Sequence, residues 1–386
     1  MNPSDYPRSA WVEVDLTALA ANFRLLRADL PIAVRLLYVL KADAYGLGAV
    51  TAARVALAHG ASHLAVYTLG EAATLRQAGI DAPILLLGER LIDELPYALD
   101  LDLETCVGRL EIAERLSSLG LARGRPVPIH IKVNTGMNRF GFAWREVLQW
   151  SHALAQWPGL HFAGMMSHFA QSDELEKAFA RTQLARFRGC VATVQAAGIQ
   201  PTLLHHCNSG GAMDLSDAHF DLVRVGVLAH GVQPSSVCRR VLGLQPVLSV
   251  KARIVTVQSV EPGDTVGYGM RWQAQRPSRI GVLPLGFADG FPRVRNEGHA
   301  LLQGRRVPIV GGVAMDALLV DLTDLPAAQV GDEAVLLGRQ GELEITAHDL
   351  AALKRSVSYD VLAGWRSRLP RRLLEGGVSV GRNVSV

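Results

Sequence analysis

The chain has 386 residues, 49% of them hydrophobic, and its formal net charge is only +3. That length is enough to bury two hydrophobic cores, so we expect two domains. The balanced charge and the lack of a long basic run exclude a nucleic-acid-binding surface of the usual basic kind. No apolar run reaches the roughly 20 residues of a membrane-spanning helix, so no membrane association is expected.

The N-terminal segment and the cysteines indicate the compartment. "MNPSDYPRSAWVEVD" lacks the apolar stretch of a signal peptide. Cys106, Cys190, Cys207 and Cys238 are widely spaced and form neither a zinc-binding pattern nor a disulfide framework. Unpaired thiols suit a reducing environment, so we expect a cytoplasmic protein without a bound metal.

Short β-branched runs alternate with amphipathic helical stretches from residue 30 to about 235. The predicted strands are "RLLYVLKA", "HLAVYT", "APILLLG", "LETCVG", "VPIHIKVN", "HFAGMMSH", "TLLHHCN" and "LVRVGVLAH". Eight strands, each followed by a helix or turn, predict an α/β fold of the (β/α)8 TIM-barrel type. Periodicity alone leaves an open doubly wound sheet as an alternative, but the first strand lacks the Gly-x-Gly-x-x-Gly turn typical of that fold.

The alternation of predicted strands and helices ends at residues 234–246, and a different pattern follows. Short strands such as "RIGVLPLG" and "DEAVLLGRQ" are separated by Pro, Gly and Asp turns, with few helices before "ITAHDLAALKR". We therefore predict a barrel over residues 10–240 and a mostly β C-terminal domain over 241–386. The first strand, within residues 1–16, is a candidate to pair with the second domain, because the barrel already has eight strands.

Polar residues collect in and after five of the predicted barrel strands. The active site of such a barrel lies at the C-terminal ends of its strands. The residues there are Lys41 and Tyr45 (first strand), Lys132 and Arg139 (fifth), His168 (sixth), Asn208 and Ser209 (seventh), and Arg224 and Gly226 (eighth). Each one alone is explained as well by a surface lysine, an ion pair or a helix cap. Their joint occurrence at one rim favours an active site.

The loops after the seventh and eighth strands indicate an anion-binding site. They are the usual phosphate site of a barrel, where Ser209 can open a short helix whose N–H groups face an anion and Gly226 lets backbone approach closely. A phosphate together with one lysine in an apolar setting indicates pyridoxal phosphate held as a Schiff base on Lys41. Burial lowers the pKa of a lysine and so supplies the neutral amine that this bond needs.

Several motifs together resemble the alanine racemases, which are fold-type III pyridoxal-phosphate enzymes. "VLKADAYGLG" is similar to the family's cofactor-attachment signature, and "HIKVNTGMNRFG", "SHFA", "NSGG", "FDLVRVGV", "VGYG", "GFADGFPR", "GGVAMD" and "SVSYDVL" follow in the family's order. The resemblance covers nearly the whole chain. It implies a barrel followed by a β domain, a head-to-tail homodimer with shared active sites, and interconversion of L- and D-alanine for peptidoglycan synthesis.

The resemblance also implies roles for individual residues. Lys41 is the expected base on the D-face, and Tyr268 of the partner subunit is the expected base on the L-face, because racemisation needs one base on each side. Arg224 is the expected partner of the pyridine nitrogen, with His168 behind the cofactor ring. Since arginine does not give up its proton at ordinary pH, the ring nitrogen would stay unprotonated, which favours racemisation over transamination.

The remaining family roles concern the cofactor, the substrate and one modified lysine. The expected cofactor ligands, besides those named above, are Tyr45, Asn208, Ser209, Gly226, Val227 and Tyr359. The expected substrate ligands are Arg139 together with Met315 and Asp316 of the partner subunit. Lys132 matches a lysine that is often carbamylated in the family, and a carbamate there would orient Arg139.

Some positions depart from what the family usually carries. They are Leu47, Asn134, His230, Trp272, Phe287, Gly312 and Ala314. Phe287 and Gly312 map to the substrate entrance, where they remove a phenol and a guanidinium and make the entrance less polar. None of these positions carries an expected catalytic residue, so the reaction type is unaffected. A broader or serine-preferring amino-acid racemase on the same scaffold is therefore an alternative.

Particular residues disfavour three other functions. A fold-type III decarboxylase uses an acidic group at the pyridine nitrogen, where this chain has Arg224, and a cysteine in the partner-subunit loop, where it has Ala314-Met315-Asp316. A non-catalytic pyridoxal-phosphate carrier is a single barrel, which conflicts with the predicted β domain and with Tyr268. A structural barrel without a cofactor does not account for polar residues at five strand ends.

Overall fold

The computed structural model describes residues 7–383, which form two compact units. The barrel unit comprises residues 20–42 and 49–244. The β unit comprises residues 7–19, 43–48 and 245–383. Both the first strand and the short segment after Ala42 therefore belong to the unit that is built mainly from the C-terminal third of the chain.

The helices and strands alternate over the first 230 residues. In chain order they are β1 (Ala10–Asp15), α1 (Leu16–Asp29), β2 (Arg35–Val39), α2 (Lys41–Gly46), α3 (Ala49–Ala58), β3 (His63–Val66), α4 (Leu69–Gln77), β4 (Ile84–Leu86), α5 (Leu95–Asp100), β5 (Glu104–Val107), α6 (Leu110–Ala122), β6 (Val127–Asn134), β7 (Phe142–Ala143), α7 (Val147–Leu154), β8 (Leu160–Met166), α8 (Ala178–Ala196), β9 (Leu203–His205), α9 (Ser209–Asp214) and β10 (Leu222–Val225).

Strands dominate the rest of the chain. In chain order the elements are β11 (Leu248–Arg253), β12 (Thr256–Val260), β13 (Thr265–Val266), β14 (Trp272–Gln273), β15 (Ser278–Leu283), β16 (His299–Leu302), β17 (Arg305–Val310), β18 (Leu318–Asp321), β19 (Glu333–Gln340), β20 (Leu343–Ile345), α10 (Ala347–Lys354), α11 (Ser358–Gly364), β21 (Arg371–Glu375) and β22 (Val378–Asn383).

Eight parallel strands form the sheet of the barrel unit in the order β10-β2-β3-β4-β5-β6-β8-β9. Backbone hydrogen bonds join the two ends of this order, from the Asp221 N–H to the Leu204 carbonyl oxygen (3.0 Å) and from the Arg224 N–H to the Cys207 carbonyl oxygen (3.2 Å). Strands such as β3 and β4 are buried at every residue, as expected for a parallel sheet covered on both faces. The predicted (β/α)8 barrel is confirmed.

One sheet runs through the β unit in the order β12-β15-β18-β17-β16-β19-β11-β1-β21-β22. Neighbours in it are antiparallel except β1 and β21, which are parallel. β1 lies between β11 and β21, and its residues Trp11, Val12 and Val14 are buried. The mostly β character predicted for the C-terminal part is also confirmed.

None of the helices within residues 7–383 combines the length and the apolar composition that crossing a bilayer requires.

A glycine in the β unit provides a test of local packing. Gly290 has φ +114°, and a Cβ there would lie 2.3 Å from the Gly364 carbonyl oxygen. We expect Gly290→Ala to lower the free energy of unfolding by about 2–4 kcal/mol, because a backbone clash adds to left-handed strain. Gly331→Ala is the matched control, since its φ is +97° but no atom lies within 4 Å of the added Cβ. Equal losses for both variants in urea denaturation would contradict the clash.

Candidate active site

Lys41 directly follows the first barrel strand. Residues 36–38 of β2 are buried, and the Leu40 N–H still donates to the Ala65 carbonyl oxygen of β3 (2.9 Å). Strand pairing therefore continues to the residue before the lysine. The structure places Lys41 at the strand end, as the sequence predicts, and in a single chain part of its surface is open to solvent.

The amine of Lys41 loses its proton more readily than that of an ordinary lysine. Partial burial lowers its pKa, the positive charge of Arg139 lowers it further, and Glu71 acts in the opposite direction. The neutral fraction at a given pH is therefore larger than for a fully solvated lysine. A neutral amine is the form that attacks a carbonyl group.

The residues after Lys41 have a left-handed backbone. Ala42, Asp43, Ala44 and Tyr45 have φ between +53° and +55°, so α2 is a left-handed helical turn. Each such residue costs about 1–2 kcal/mol relative to right-handed geometry. Strain of this kind persists only where surrounding contacts over-determine it, and it clusters at functional sites. The turn is therefore a structural sign of function that is independent of the side chains.

Contacts inside the β unit hold the end of this turn. The Arg371 Nε–H donates to the Gly46 carbonyl oxygen (3.1 Å), and its other nitrogens donate to carbonyl oxygens in the segment 365–369. Burial raises the pKa of Tyr45 to about 12, so its hydroxyl keeps its proton and can donate to an anion. The rings of Tyr45 and Tyr359 lie 6.5 Å apart, which makes these two predicted phosphate ligands neighbours.

Arg224 on β10 is held by buried acceptors. Its Nη1 donates to Nδ1 of His205 (2.9 Å), and its Nη2 donates to Nδ1 of His168 (3.2 Å). Nη2 also donates to the carbonyl oxygens of Ser167 (2.8 Å) and His206 (3.0 Å). The Nε–H has no acceptor among the described residues. Burial lowers the pKa of Arg224 to about 10, so at neutral pH it is a fixed cation whose Nε–H is left for a ligand.

Three other predicted residues line one small pocket of the barrel unit, namely Lys132, Arg139 and His168. Burial and then the charge of Arg224 lower the pKa of Lys132 to about 7. The same two causes lower the pKa of His168 well below its usual value. Because Nδ1 of His168 accepts from Arg224, the neutral ring carries its proton on Nε2. The fixed positive charges are those of Arg139, which lines the pocket, and of Arg224, which bonds to His168, and both favour an anionic ligand.

The loops after the seventh and eighth barrel strands meet through one hydrogen bond. The Gly226 N–H donates to Oγ of Ser209 (3.2 Å). α9 begins at Ser209 as predicted, but its cap is Asn208, whose Oδ1 accepts the Gly211 N–H (3.0 Å). Val227 follows Gly226 and opens a 3-10 turn. The predicted phosphate-binding segments are therefore adjacent.

Tyr268 lies in the β unit, at the tip of the hairpin formed by β13 and β14, and is 80% exposed. The hairpin needs glycine on both sides of Tyr268, because Gly267 has φ +78° and Gly269 has φ +73°. A Cβ on Gly267 would lie 3.3 Å from the Gly312 nitrogen. The hairpin tip therefore packs backbone to backbone against the end of β17.

Asn296 fastens this hairpin from one side. Its Oδ1 accepts the Gly311 N–H (2.7 Å), and its own N–H donates to the Gly311 carbonyl oxygen (2.9 Å). Its Nδ2 donates to the carbonyl oxygen of Arg271, three residues after Tyr268 (3.0 Å). Asn296 thus links the Tyr268 hairpin to the strand end on which it rests.

Met315 and Asp316 lie in a loop that is braced by its own backbone. The Ala288 N–H donates to the Met315 carbonyl oxygen (3.0 Å), whereas the Met315 N–H has no acceptor among the described residues. The Met315 side chain is 55% exposed. Asp316 forms an ion pair with Arg368 of the same chain (2.5 Å). The loop therefore offers the free Met315 N–H beside a carboxylate that already has a partner.

The structure divides the predicted residues between the two units. The barrel unit holds Lys41, Lys132, Arg139, His168, Asn208, Ser209, Arg224, Gly226 and Val227. The β unit holds Tyr45, Tyr268, Met315, Asp316 and Tyr359. Sequence reasoning missed His205, the direct partner of Arg224, and Asn296. The two adjacent histidines in the strand "TLLHHCN" were a signal for His205, whereas nothing in the sequence around Asn296 pointed to its role.

Family models match both halves of the chain. The model described as "Alanine racemase, N-terminal domain" matches residues 14–234, and the one described as "Alanine racemase, C-terminal domain" matches residues 247–373.

Curated proteins and solved structures give the same result. The chain is 39% identical over 368 residues to the alanine racemase of Symbiobacterium thermophilum, covering 95% of this chain and 97% of that protein. It is 38% identical over 370 residues to that of Nostoc sp., covering 95% and 96%. The solved alanine racemase of Clostridium difficile 630 superposes with a TM-score of 0.92 at 30% identity, covering 98% of this chain and 99% of that chain. An alanine racemase structure from Bacillus anthracis with bound L-Ala-P gives 0.91 at 31%, covering 98% of both.

Proposed function

The chain belongs to the alanine racemase family, which confirms the resemblance, and from this premise we propose that it is a pyridoxal-phosphate-dependent enzyme that interconverts L- and D-alanine. The proposal includes a two-base mechanism, with Lys41 and Tyr268 of the partner subunit in active sites shared by a homodimer. The observation that carries it is the fixed Arg224 cation, whose Nε–H has no acceptor among the described residues.

The barrel-unit residues fit the cofactor. The free Nε–H of Arg224 would donate to the pyridine nitrogen, and the amine of Lys41 would bind the aldehyde carbon. In the barrel unit the phosphate would be held by Ser209, by the backbone around Gly226 and Val227, and by the loop at Asn208. Tyr45 and Tyr359 of the β unit are the further phosphate ligands that the resemblance implies. The bound cofactor supplies an electron sink that acidifies the α-proton of an amino acid.

The two bases would move one proton each. Tyr268 would take the α-proton of L-alanine on the L-face. The protonated amine of Lys41, released from the aldehyde carbon when the amino group of the substrate takes its place there, would return a proton on the D-face. The reverse reaction exchanges these roles. Partial burial and Arg139 lower the pKa of Lys41, which supports its use as a base near neutral pH.

The exposed surface around Tyr268 supports the homodimer. Tyr268, Met270 and Met315 are 80%, 72% and 55% exposed in the single chain. Exposed large apolar residues of this kind mark surfaces that another protein covers. In such a dimer, Tyr268 and Met315 of one subunit would lie at the barrel rim of the other subunit.

Asn296 provides a test of the hairpin that carries Tyr268. We expect Asn296→Ala to lower the rate of alanine racemisation about tenfold, because the hairpin loses the anchor at Arg271 and at Gly311. Asn296→Asp keeps the acceptor for the Gly311 N–H and should lose less. The measurement is α-proton exchange from L-alanine in D₂O. A rate for Asn296→Ala equal to that of the unmodified enzyme would show that the anchor is dispensable.

The substrate carboxylate would be bound by residues of both subunits. Arg139 would supply the charge, and the free N–H of Met315 in the partner subunit would supply a directional donor beside Asp316. Gly312 favours the alternative of a broader or serine-preferring racemase, because a Cβ there would meet only the Cγ of Arg295, at 3.7 Å. That space, left by the missing side chain, supports acceptance of a larger amino acid.

Lys132 is proposed to carry a carbamate. Its pKa of about 7 leaves much of the amine neutral at physiological pH, which is the form that reacts with carbon dioxide. The resulting anion would face Arg139 in the pocket that both residues line. Incubation with ¹³C-labelled bicarbonate should give one carbamate signal in the carbon NMR spectrum that is absent from a Lys132→Arg variant. An unlabelled Lys132 would remove this part of the proposal.

We also propose a biological role and a compartment. D-alanine production would serve peptidoglycan synthesis, as the resemblance implies. All four cysteines are free thiols, which supports a reducing compartment such as the cytoplasm.

The deciding experiment is proton NMR of L-alanine and of L-serine in D₂O with the purified protein and pyridoxal phosphate, followed by chiral analysis. We expect the α-proton signal to disappear and the D-isomer to form. Comparable rates on serine would favour the broader racemase, and a rate ratio of several thousand for alanine over serine would exclude it. Bound cofactor without α-exchange on either substrate would contradict the proposed activity.

A further inference from the structure

A chain of hydrogen bonds crosses the interior of the barrel unit and ends at Arg224. The Nη1 of Arg224 lies 2.9 Å from Nδ1 of His205, Nε2 of His205 lies 2.7 Å from Nδ1 of His130, and Nε2 of His130 lies 3.0 Å from a carboxylate oxygen of Glu104. Its members lie on β10, β9, β6 and β5. Both histidines are fully buried, and Glu104 is at the start of its strand, at the opposite end of the barrel from Lys41.

The donor at one end of this series of hydrogen bonds and the acceptor at the other end determine which ring nitrogen of each histidine carries the proton. Arginine is only a donor, so Nδ1 of His205 must accept and its proton must be on Nε2. That proton can bond only to a bare Nδ1 of His130, whose proton is then on Nε2. An ionised Glu104 is only an acceptor and completes the sequence. All three bonds therefore point from the guanidinium towards the carboxylate, and both rings are neutral.

A protonated His130 is incompatible with this arrangement. It would donate from Nδ1 to His205, which would move the His205 proton to Nδ1, where it would face an N–H of Arg224. Two donors would then oppose each other in a buried site, and the Arg224 bond would be lost. The order of the chain thus depends on an acceptor at its far end, which is Glu104.

The barrel is shaped to hold the His130 ring in this place. In the strand register His130 lies between Cys106 of β5 and Gly164 of β8. A Cβ on Gly164 would lie 2.3 Å from Nδ1 of His130. Glycine is therefore required beside the ring nitrogen that accepts from His205.

We propose that Glu104 and His130 are positioning residues for the reaction, which hold His205 in the tautomer that accepts from Arg224 and so aim the Arg224 guanidinium at the cofactor ring. This inference rests on the proposed function, because that function assigns the free Nε–H of Arg224 to the pyridine nitrogen. Neither residue contacts the cofactor in this scheme, and both act through His205.

Neutron diffraction from crystals of the deuterated holoenzyme tests the chain directly. We expect deuterium on Nε2 and not on Nδ1 in both His130 and His205. A deuteron on Nδ1 of either ring would overturn the proposal. This readout does not depend on turnover. It therefore tests the buried chain of hydrogen bonds from Arg224 to Glu104 (the relay) separately from the proposed function.

Substitution of Glu104 tests the consequence for catalysis. Glu104→Leu removes the terminal acceptor, and we expect kcat/KM for alanine to fall about 10-fold or more, the usual size of effect for a supporting residue. Glu104→Gln keeps an acceptor oxygen and should restore most of the rate. In crystals of the Leu variant the deuterons of both rings should be divided between Nδ1 and Nε2, because only Arg224 then favours the original order, and a merely structural role would not cause this.

The exposed Glu111 on α6, paired with Arg109, gives the matched controls Glu111→Leu and Glu111→Gln, which should leave kcat/KM unchanged. Equal rates for Glu104→Leu and Glu104→Gln would overturn the proposal. An unmodified enzyme that retains the expected deuteron pattern but racemises no amino acid would overturn the proposed function, and with it the role assigned to the relay.

Discussion

Replacing Lys41 with alanine is expected to lower alanine racemisation by about 10⁴-fold or more, because both the covalent anchor of the cofactor and the base on the D-face are lost. The variant should also lose the visible absorption of the bound cofactor on gel filtration. In the unmodified enzyme, borohydride reduction followed by peptide mass spectrometry should place the cofactor on Lys41.

Lys251→Ala is the control for this substitution, since Lys251 pairs with Glu13 and Glu333 of the β unit, and none of these three is a predicted site residue. It should retain full activity and cofactor. Recovery of the cofactor on a different lysine of the unmodified enzyme would refute the assignment of Lys41.

Replacing Tyr268 with phenylalanine should produce a different pattern of loss. We expect racemisation to fall about 10²–10⁴-fold, the usual contribution of one general base. α-Proton exchange from L-alanine in D₂O should fall with it. D-Alanine should still exchange its α-proton, now with retention of configuration, because Lys41 can both remove and return a proton on its own face.

Tyr97→Phe is the matched control, because Tyr97 is also an exposed tyrosine and the proposed site does not include it. It should leave both exchange rates unchanged. An equal fall in the exchange of both enantiomers in Tyr268→Phe would contradict a base on each face and would favour a single base that serves both.

The barrel could be predicted from the sequence because each strand appears there as a short apolar run followed by a turn. The sequence also placed Lys41, His168 and Arg224 at strand ends, because a strand ends where its apolar run stops. The helix α9 begins at Ser209, as predicted, and Asn208 is its cap.

The left-handed turn after Lys41 was beyond sequence reasoning. None of Ala42, Asp43, Ala44 and Tyr45 is glycine, and alanine and tyrosine have no preference for positive φ. The conformation depends on distant contacts, such as the bond from Arg371 to Gly46 in the β unit and the bond from the Ala42 N–H to Glu71 in the barrel unit. Local propensity carries no information about such contacts.

The buried relay was missed for a related reason. Strands of a parallel barrel are apolar on both faces, so the alternation that shows which residues point inwards is absent. His130 and His205 are 75 positions apart in the chain, and their contact follows from the register of β6, β8 and β9. Only the tertiary structure shows that the two rings meet inside the barrel.

The pairing of β1 has a consequence for how the protein is made. β1 leaves the ribosome well before its partners β11 and β21, which are formed by residues 248–253 and 371–375. The β unit therefore cannot close until residue 375 has been synthesised, and contacts so distant in sequence form slowly. Until then, Trp11, Val12 and Val14 lie on an unpaired apolar strand, which is the kind of segment that aggregates. Translation speed and chaperone supply should therefore influence the yield of native enzyme.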